Sequence, residues 1–338
     1  QTAAIYITHD LAVVAQMADR VKVLLRGEEV EEAPTRAMLS APREAYTRSL
    51  WAVREFRRAP PATPAPAEPL VDVQGLTVSY GPLKVLDRVS LTIPQGRTVA
   101  VVGESGSGKS TTARAIMGLV ASSAGGVLFD GAALPPRGCD RGRELQRRIQ
   151  MIHQMADTAL NPRHRIREIL GRPLEFFLGL KGAAKDARLR ELMTEIELDP
   201  DQFLDRLPSE LSGGQKQRIC IARALAADPE FIICDEVTSA LDQLVAEGIL
   251  RLLDRLQRER GLTYMFITHD LATVRAIADE VVVMKSGVVV EAEPTDRLFV
   301  PPHDPYTELL LSSVPEMDPD WLTRLLARRA GQAPERIA

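Results

Sequence analysis

"GESGSGKST", Gly103 to Thr111, follows the apolar run "RTVAVVG" (97–103) and opens the helix-like "TTARAIMGLV" (111–120). It fits G-x-x-x-x-G-K-[ST], a pattern that a chain this long would contain by chance with odds on the order of 1%, given Gly at about 7% of residues. The residue types follow from the chemistry. Glycines let the backbone wrap a polyphosphate, exposed N–H groups at a helix N-terminus point at it, and a lysine neutralises charge. The loop residues Gly103, Ser105, Gly106, Gly108, Lys109, Ser110 and Thr111 are therefore the candidate phosphate contacts. Lys109 should reach the β- and γ-phosphates, and Ser110 a Mg²⁺ ion.

Outward from this loop, short β-type runs alternate with helical ones: "RTVAVVG", "EFIICDE" (230–236), "LTYMFITH" (262–269) and "EVVVMKSG" (280–287). Such alternation implies a mostly parallel sheet with helices on its faces. "FIICDE" ends in Asp235 and Glu236, which places both carboxylates at the carboxyl edge of that sheet, where open α/β folds bind ligands. The earlier runs "LVDVQGLTVSY" and "VLDRVSLTI" alternate at period two around a Gly-Pro turn and predict an antiparallel subsheet. Residues 161 to about 219 lack strand runs and read as helical. "LSGGQ" (211–215) opens the helical run "KQRICIARALAAD", so Ser212 and the amides of Gly213 and Gly214 should sit at a second helix N-terminus; alone this reads as a capped helix.

Composition narrows the class. With 338 residues, 45% hydrophobic and 26% charged, the chain has material for two domains. A formal charge of −4 gives no global attraction to nucleic acid or anionic lipid. No run approaches the ~18 consecutive apolar residues of a spanning helix. Cys139, Cys220 and Cys234 are too few and too scattered for a metal site or a disulfide framework and read as buried, reduced cysteines of a cytosolic protein.

One stretch occurs twice. "ITHDLATVRAIADEV" (267–281) matches "ITHDLAVVAQMADRV" (7–21), and the copies stay in register from Tyr6/Phe266 to Thr47/Thr307 at an offset of 260. Two copies of one structural unit are expected, and the runs "AAIYIT" and "VKVLL" of the first read as strands of a sheet whose other strands are expected upstream of Gln1. Residues 57–69, "RRAPPATPAPAEP", read as an extended linker.

In this order, the Lys109 loop, Gln154, "LSGGQ", "CDE", "SALD" (239–242) and His269 resemble the ATP-binding subunit of an ABC transporter, over essentially the whole chain. The resemblance implies an α/β phosphate-loop NTPase with a mostly parallel sheet, an antiparallel β subdomain and a helical subdomain, and ATP with Mg²⁺ as its ligands. It makes Tyr80, in "VSYG", the aromatic that stacks on adenine. Gln154 would contact Mg²⁺ and the attacking water, Asp235 would hold the metal through water, Glu236 would polarise the nucleophile, and His269 would contact the γ-phosphate. A strand-end histidine is by itself more often a satisfied core residue; the motif order reverses that for His269. In this family two ATPs lie between two domains, each facing one domain's phosphate loop and the other's "LSGGQ", so Ser212, with Gly213, Gly214 and Gln215, would complete a partner's site; Asp242 is a further expected nucleotide contact.

The implied organisation is a remnant of a preceding ATPase domain (1–57, keeping His9), a linker (58–70), a complete domain (71–315) and a helical tail (316–338). The natural protein is expected to be a tandem of two such domains. "LNPR" (160–163) and "PPHDPYTELLLSSVP" (301–315) resemble the oligopeptide, dipeptide and nickel importer group, and the first copy ends similarly in "APREAYTRSLWAV" (41–53). The resemblance implies two membrane permeases and, indirectly, an extracytoplasmic solute-binding protein as partners at the cytoplasmic face of the inner membrane. Its cargo would be peptides or glutathione, or alternatively nickel; a non-transport ABC-type ATPase is the rival class. "HQMAD" (153–157) stands where the group has Phe-Gln-Asp-Pro, and Val237 replaces a proline.

Overall fold

The computed structural model describes residues 3–8, 10–52, 68–315 and 317–331, which form two compact units. The smaller comprises 1–56, 242–247 and 308–338, and the larger 57–241 and 248–307. His9 and positions 58–67 of the expected linker lie outside the described residues, as do 316 and 332–338 of the tail.

The first copy of the duplicated unit forms α1 (Leu11–Met17), the hairpin β1 (Arg20–Leu25) and β2 (Glu28–Pro34), α2 (Thr35–Ser40) and α3 (Ala45–Ala52). Asp10 caps α1, its carboxylate accepting from the Ala12 and Val13 N–H groups at 2.9 and 3.4 Å, which satisfies donors that a first helical turn leaves open. Val21 and Val23 close on Met38, with Val14, Tyr46, Leu50 and Trp51 packed around them.

The larger unit starts with a long hairpin, β3 (Pro69–Tyr80) and β4 (Leu83–Pro94), so the last two positions read as linker already belong to a strand. Then come β5 (Thr98–Val102), α4 (Lys109–Ile116), β6 (Ala124–Phe129), β7 (Ala132–Ala133), α5 (Arg143–Arg148) and β8 (Ile149–Ile152). A helical stretch follows: α6 (Ala156–Ala159), α7 (Ile166–Leu178), α8 (Gly182–Glu195), α9 (Pro200–Phe203) and α10 (Gly213–Leu225). The chain continues with β9 (Phe231–Asp235), α11 (Gln243–Arg260), β10 (Thr263–Ile267), α12 (Leu271–Ile277), β11 (Glu280–Lys285), β12 (Val288–Pro294), α13 (Thr295–Leu298), α14 (Pro305–Ser312) and α15 (Trp321–Gly331).

Two sheets result. One is antiparallel, in the order β4-β3-β6-β7; the other runs β12-β11-β5-β10-β9-β8 and is parallel except for its β11–β12 edge. Every residue of β5, β9 and β10 is buried, which is why these strands read as unbroken apolar runs. No helix among the described residues is long and apolar enough to cross a membrane.

The duplication is visible in detail. β11 pairs with β12 from Glu280↔Pro294 with a register shift after Val283, and β1 pairs with β2 from Arg20↔Pro34 with a shift after Val23. Asp270 caps α12 as Asp10 caps α1, accepting from the Ala272 N–H at 2.9 Å. At "AAIYIT" the two copies differ, because the partner strands expected for that run are not among residues 3–52. Thr263–Ile267 forms β10 between β5 and β9, whereas residues 3–7, at the same offset in the first copy, carry no strand, and Ile5 and Ile7 are 95% and 94% exposed. A central parallel strand exists only through neighbours on both edges, and residues 3–52 hold no copies of β5 or β9.

The tail packs within the smaller unit. Gln16 Nε2 donates to the Asp318 carbonyl at 2.7 Å and its Oε1 accepts from the Leu322 N–H at 3.1 Å, while Arg36 makes a two-pronged ion pair with Asp320 at 2.6 and 3.1 Å.

Candidate functional site

The phosphate loop leaves the buried end of β5 and is built for glycine at two points. At Gly103, φ is +147° and a Cβ would lie 2.1 Å from the Met284 carbonyl oxygen; at Gly108, φ is +105° and a Cβ would lie 2.6 Å from Leu86 Cδ2. Side chains there would collide with β11 and β4. Ser105 and Gly106 sit exposed at the tip, and Thr111 follows in the first turn of α4. The buried Lys109 ammonium donates to the Gly103 and Glu104 carbonyls at 2.7 and 2.8 Å and to Ser107 Oγ at 3.3 Å. Burial lowers its pKa, against the opposing pull of Glu236, Asp235 and Glu104.

Ser110 Oγ donates to Asp235 Oδ1 at 3.2 Å. Burial raises the Asp235 pKa, and the Ser110 hydrogen bond works against that rise. The Ser110 hydroxyl and the Asp235 carboxylate, in contact with each other, are oxygen donors of the kind that suits Mg²⁺, so these two residues fit the expected metal.

Glu236 anchors the second half of the site. It is a non-glycine residue at φ +50°, a conformation that costs of order 1–3 kcal/mol and persists only where the surroundings over-determine it. Here its N–H donates to the Ile267 carbonyl at 2.9 Å, and its own carbonyl accepts from the Ser239 N–H and Oγ at 3.2 and 3.0 Å. Its carboxylate accepts from Gln154 Nε2 at 2.7 Å and lies 3.6 Å from His269 Nδ1. The sheet order explains the meeting: β8, β9 and β10 are neighbours, and Gln154, Glu236 and His269 follow their carboxyl ends, with the Lys109 loop following adjacent β5. His153, beside Gln154, is held below its ordinary pKa by burial and by Arg223, with Asp235 opposing.

The other expected site residues have local settings of their own. Ser212 and Gln215 form a reciprocal capping box on α10, the Ser212 N–H donating to Gln215 Oε1 at 2.9 Å and Ser212 Oγ accepting from the Gln215 N–H at 3.4 Å. Gly213 and Gly214 form the first turn of that helix. Asp242 belongs to the smaller unit and accepts from the Val245 N–H at 3.0 Å at the start of α11. Tyr80 ends β3 with its residue 45% exposed.

Two features escaped the sequence reading. Tyr306, in the "HDPYT" segment, accepts at Oη a 2.9 Å hydrogen bond from the Glu104 N–H of the phosphate loop. A 660 Å³ groove, lined among others by Gln150, Asn161, His164, Arg172, Phe176 and Arg223, opens beside the helical stretch. Asn161 of "LNPR" lies in it; the motif was a signal for the groove but did not reveal its shape.

Comparisons with known proteins bear on this arrangement. Residues 86–239 match the sequence model of the ABC transporter family, and residues 290–338 match that of the oligopeptide/dipeptide transporter C-terminal region. The glutathione import ATP-binding protein GsiA of Escherichia coli K12 is 39% identical over 352 residues, covering 93% of this chain and 56% of that protein; the Salmonella choleraesuis protein of the same name is 38% identical with the same coverage. The chain thus spans about half the length of the curated relatives it matches. Among solved structures, the dimeric ATP-binding cassette MJ0796 bound to ADP and Pi is 32% identical with a TM-score of 0.59, covering 67% of this chain and 98% of that one. CbiO1 from Clostridium perfringens, 24% identical with a TM-score of 0.61 over 79% of this chain and 96% of its own, shares the fold. The loop that the glycines shape, the carboxylates that the parallel sheet sets opposite it and the near-complete match to a solved cassette lead to one conclusion: the chain belongs to the ABC transporter family of ATP-binding proteins.

Proposed function

We propose that this chain binds and hydrolyses ATP to power import of peptides, of the di- or oligopeptide or glutathione type, as part of a tandem ATPase at the cytoplasmic face of the inner membrane. The observation that carries hydrolysis is the contact of Gln154 with Glu236 beside His269, next to Lys109, Ser110 and Asp235. Lys109 and the loop amides bind the β- and γ-phosphates, and Mg²⁺, held by Ser110 and Asp235 with Gln154, would neutralise phosphate charge. Glu236 accepts a proton from the attacking water, Gln154 orients that carboxylate, and His269 contacts the γ-phosphate.

Tyr80 offers an exposed ring to adenine. Ser212, Gly213, Gly214 and Gln215 serve a second ATPase domain's nucleotide, which accords with a Ser212 whose hydrogen bonds stay within its own helix turn, and Asp242 is a further nucleotide contact. The groove at Asn161, His164 and Arg172 fits a cytoplasmic segment of a permease, two of which would be fed by an extracytoplasmic solute-binding protein. The match of residues 290–338 to the oligopeptide/dipeptide transporter region and the 39% identity to a glutathione import protein support the cargo class. Uptake of dipeptides, oligopeptides, glutathione and nickel by cells with and without the full-length gene tests it. Loss of peptide or glutathione uptake is expected, and loss confined to nickel would overturn the reading.

A further inference from the structure

We infer that Tyr306 is a positioning residue for nucleotide binding: its hydroxyl sets the peptide plane at the entrance of the phosphate loop and, through that plane, the place of Lys109. This rests on the reading of the loop as the nucleotide site. The peptide group joining Gly103 to Glu104 is held on both edges. Its N–H donates to Tyr306 Oη at 2.9 Å, and its carbonyl accepts from Lys109 Nζ at 2.7 Å. Tyr306 and the phosphate-binding lysine therefore act on one rigid plane from opposite sides. The close approach of Gly103 to the Met284 carbonyl leaves that plane little room to move.

Tyr306 is itself held firmly. It is 4% exposed, and Lys285 Nζ lies 4.8 Å above its ring. Asp304 Oδ1 accepts from the Tyr306 N–H at 2.8 Å, while the Asp304 N–H donates to Glu291 Oε2 on β12 at 3.2 Å. Pro305 stands at the first position of α14, where its missing N–H has no cost. Asp, Pro and Tyr in "HDPYT" thus each have a task in bringing one hydroxyl to the loop.

A residue that merely packs α14 would act through its ring, so Tyr306→Phe separates the two roles: ring and cation contact stay, and only Oη goes. Isothermal titration of the chain with Mg-ATP should give a Kd raised by about 5- to 30-fold, the size expected when a part-buried N–H loses its partner. In the full-length protein KM should rise by a similar factor with kcat within about two-fold, and the Glu104 amide should exchange hydrogen faster. A folded variant with wild-type Kd and wild-type exchange at Glu104 would overturn the role. Should Tyr306→Phe not fold, Asp304→Ala, which frees the turn and keeps the tyrosine, should weaken binding in the same direction, and an unchanged Kd there overturns it equally. Wild-type chain that binds no ATP would remove the nucleotide reading itself, a result distinct from a loss confined to the variants.

Discussion

Gln154 and Glu236, 82 residues apart in sequence, share a 2.7 Å hydrogen bond from amide to carboxylate. The bond fixes the orientation of a carboxylate whose backbone is already held at φ +50°. Replacing Glu236 with Gln keeps size and shape and removes the base. ATP affinity should persist while turnover falls by about 10²- to 10⁴-fold, the usual worth of general-base assistance. Single-turnover hydrolysis near the wild-type rate would assign the base to another group.

Ser212 should act across an interface between two ATPase domains, because a helix N-terminus stabilises a γ-phosphate only when it is brought against it. Mixing protein altered at Ser212 with protein altered at Lys109 tests this. In trans one mixed site pairs the intact Lys109 with the intact Ser212 and should hydrolyse ATP while the other fails; mixed pairs in which neither site regains hydrolysis would exclude the trans arrangement.

Gly103→Ala should lower ATP affinity at least about tenfold, since the new methyl group would meet the Met284 carbonyl at 2.1 Å in a backbone conformation that L-residues rarely adopt. Titration with Mg-ATP reads the effect. Affinity within two-fold of wild type would mean that the loop shifts without consequence.

The thiols should separate cleanly. Cys139 is exposed, against the burial expected of all three, because it lies outside the apolar elements that hold the other two; burial pushes the Cys220 pKa up to about 11 and that of Cys234 higher still. The thiolate is the reactive form, so at pH 8 a disulfide reagent should modify Cys139 quickly, and Cys220 and Cys234 only after denaturant is added. Rapid modification of Cys220 or Cys234 in native protein would contradict their burial.

A chain beginning near Ala59 should bind ATP as tightly as the full one, because every residue around Lys109 and Glu236 lies in the larger unit. Residues 317–331 should then exchange amide hydrogens faster, having lost Gln16 and Arg36. Lost nucleotide binding would instead make the first repeat a structural part of the ATPase unit.

Local chemistry was legible without coordinates. The phosphate loop is a contiguous segment whose glycines, lysine and hydroxyl act together wherever it is placed, and the buried parallel strands announced themselves because a strand covered on both faces is a near-continuous apolar run. The repeat, too, was plain, as both copies contain the same caps and hairpin registers. Three things required the tertiary structure. The meeting of Gln154, Glu236 and His269 depends on β8, β9 and β10 being adjacent, an order that is a property of the sheet. The task of Tyr306 depends on α14 bringing its hydroxyl to an amide 202 residues earlier. The place where the repeat begins is the clearest case: the apolar run Thr263–Ile267 is a buried central strand, whereas the apolar run 3–7, at the same offset from its copy, is exposed coil. A strand's hydrogen bonds and burial come from its neighbours, so its own sequence states a preference that only those neighbours can realise.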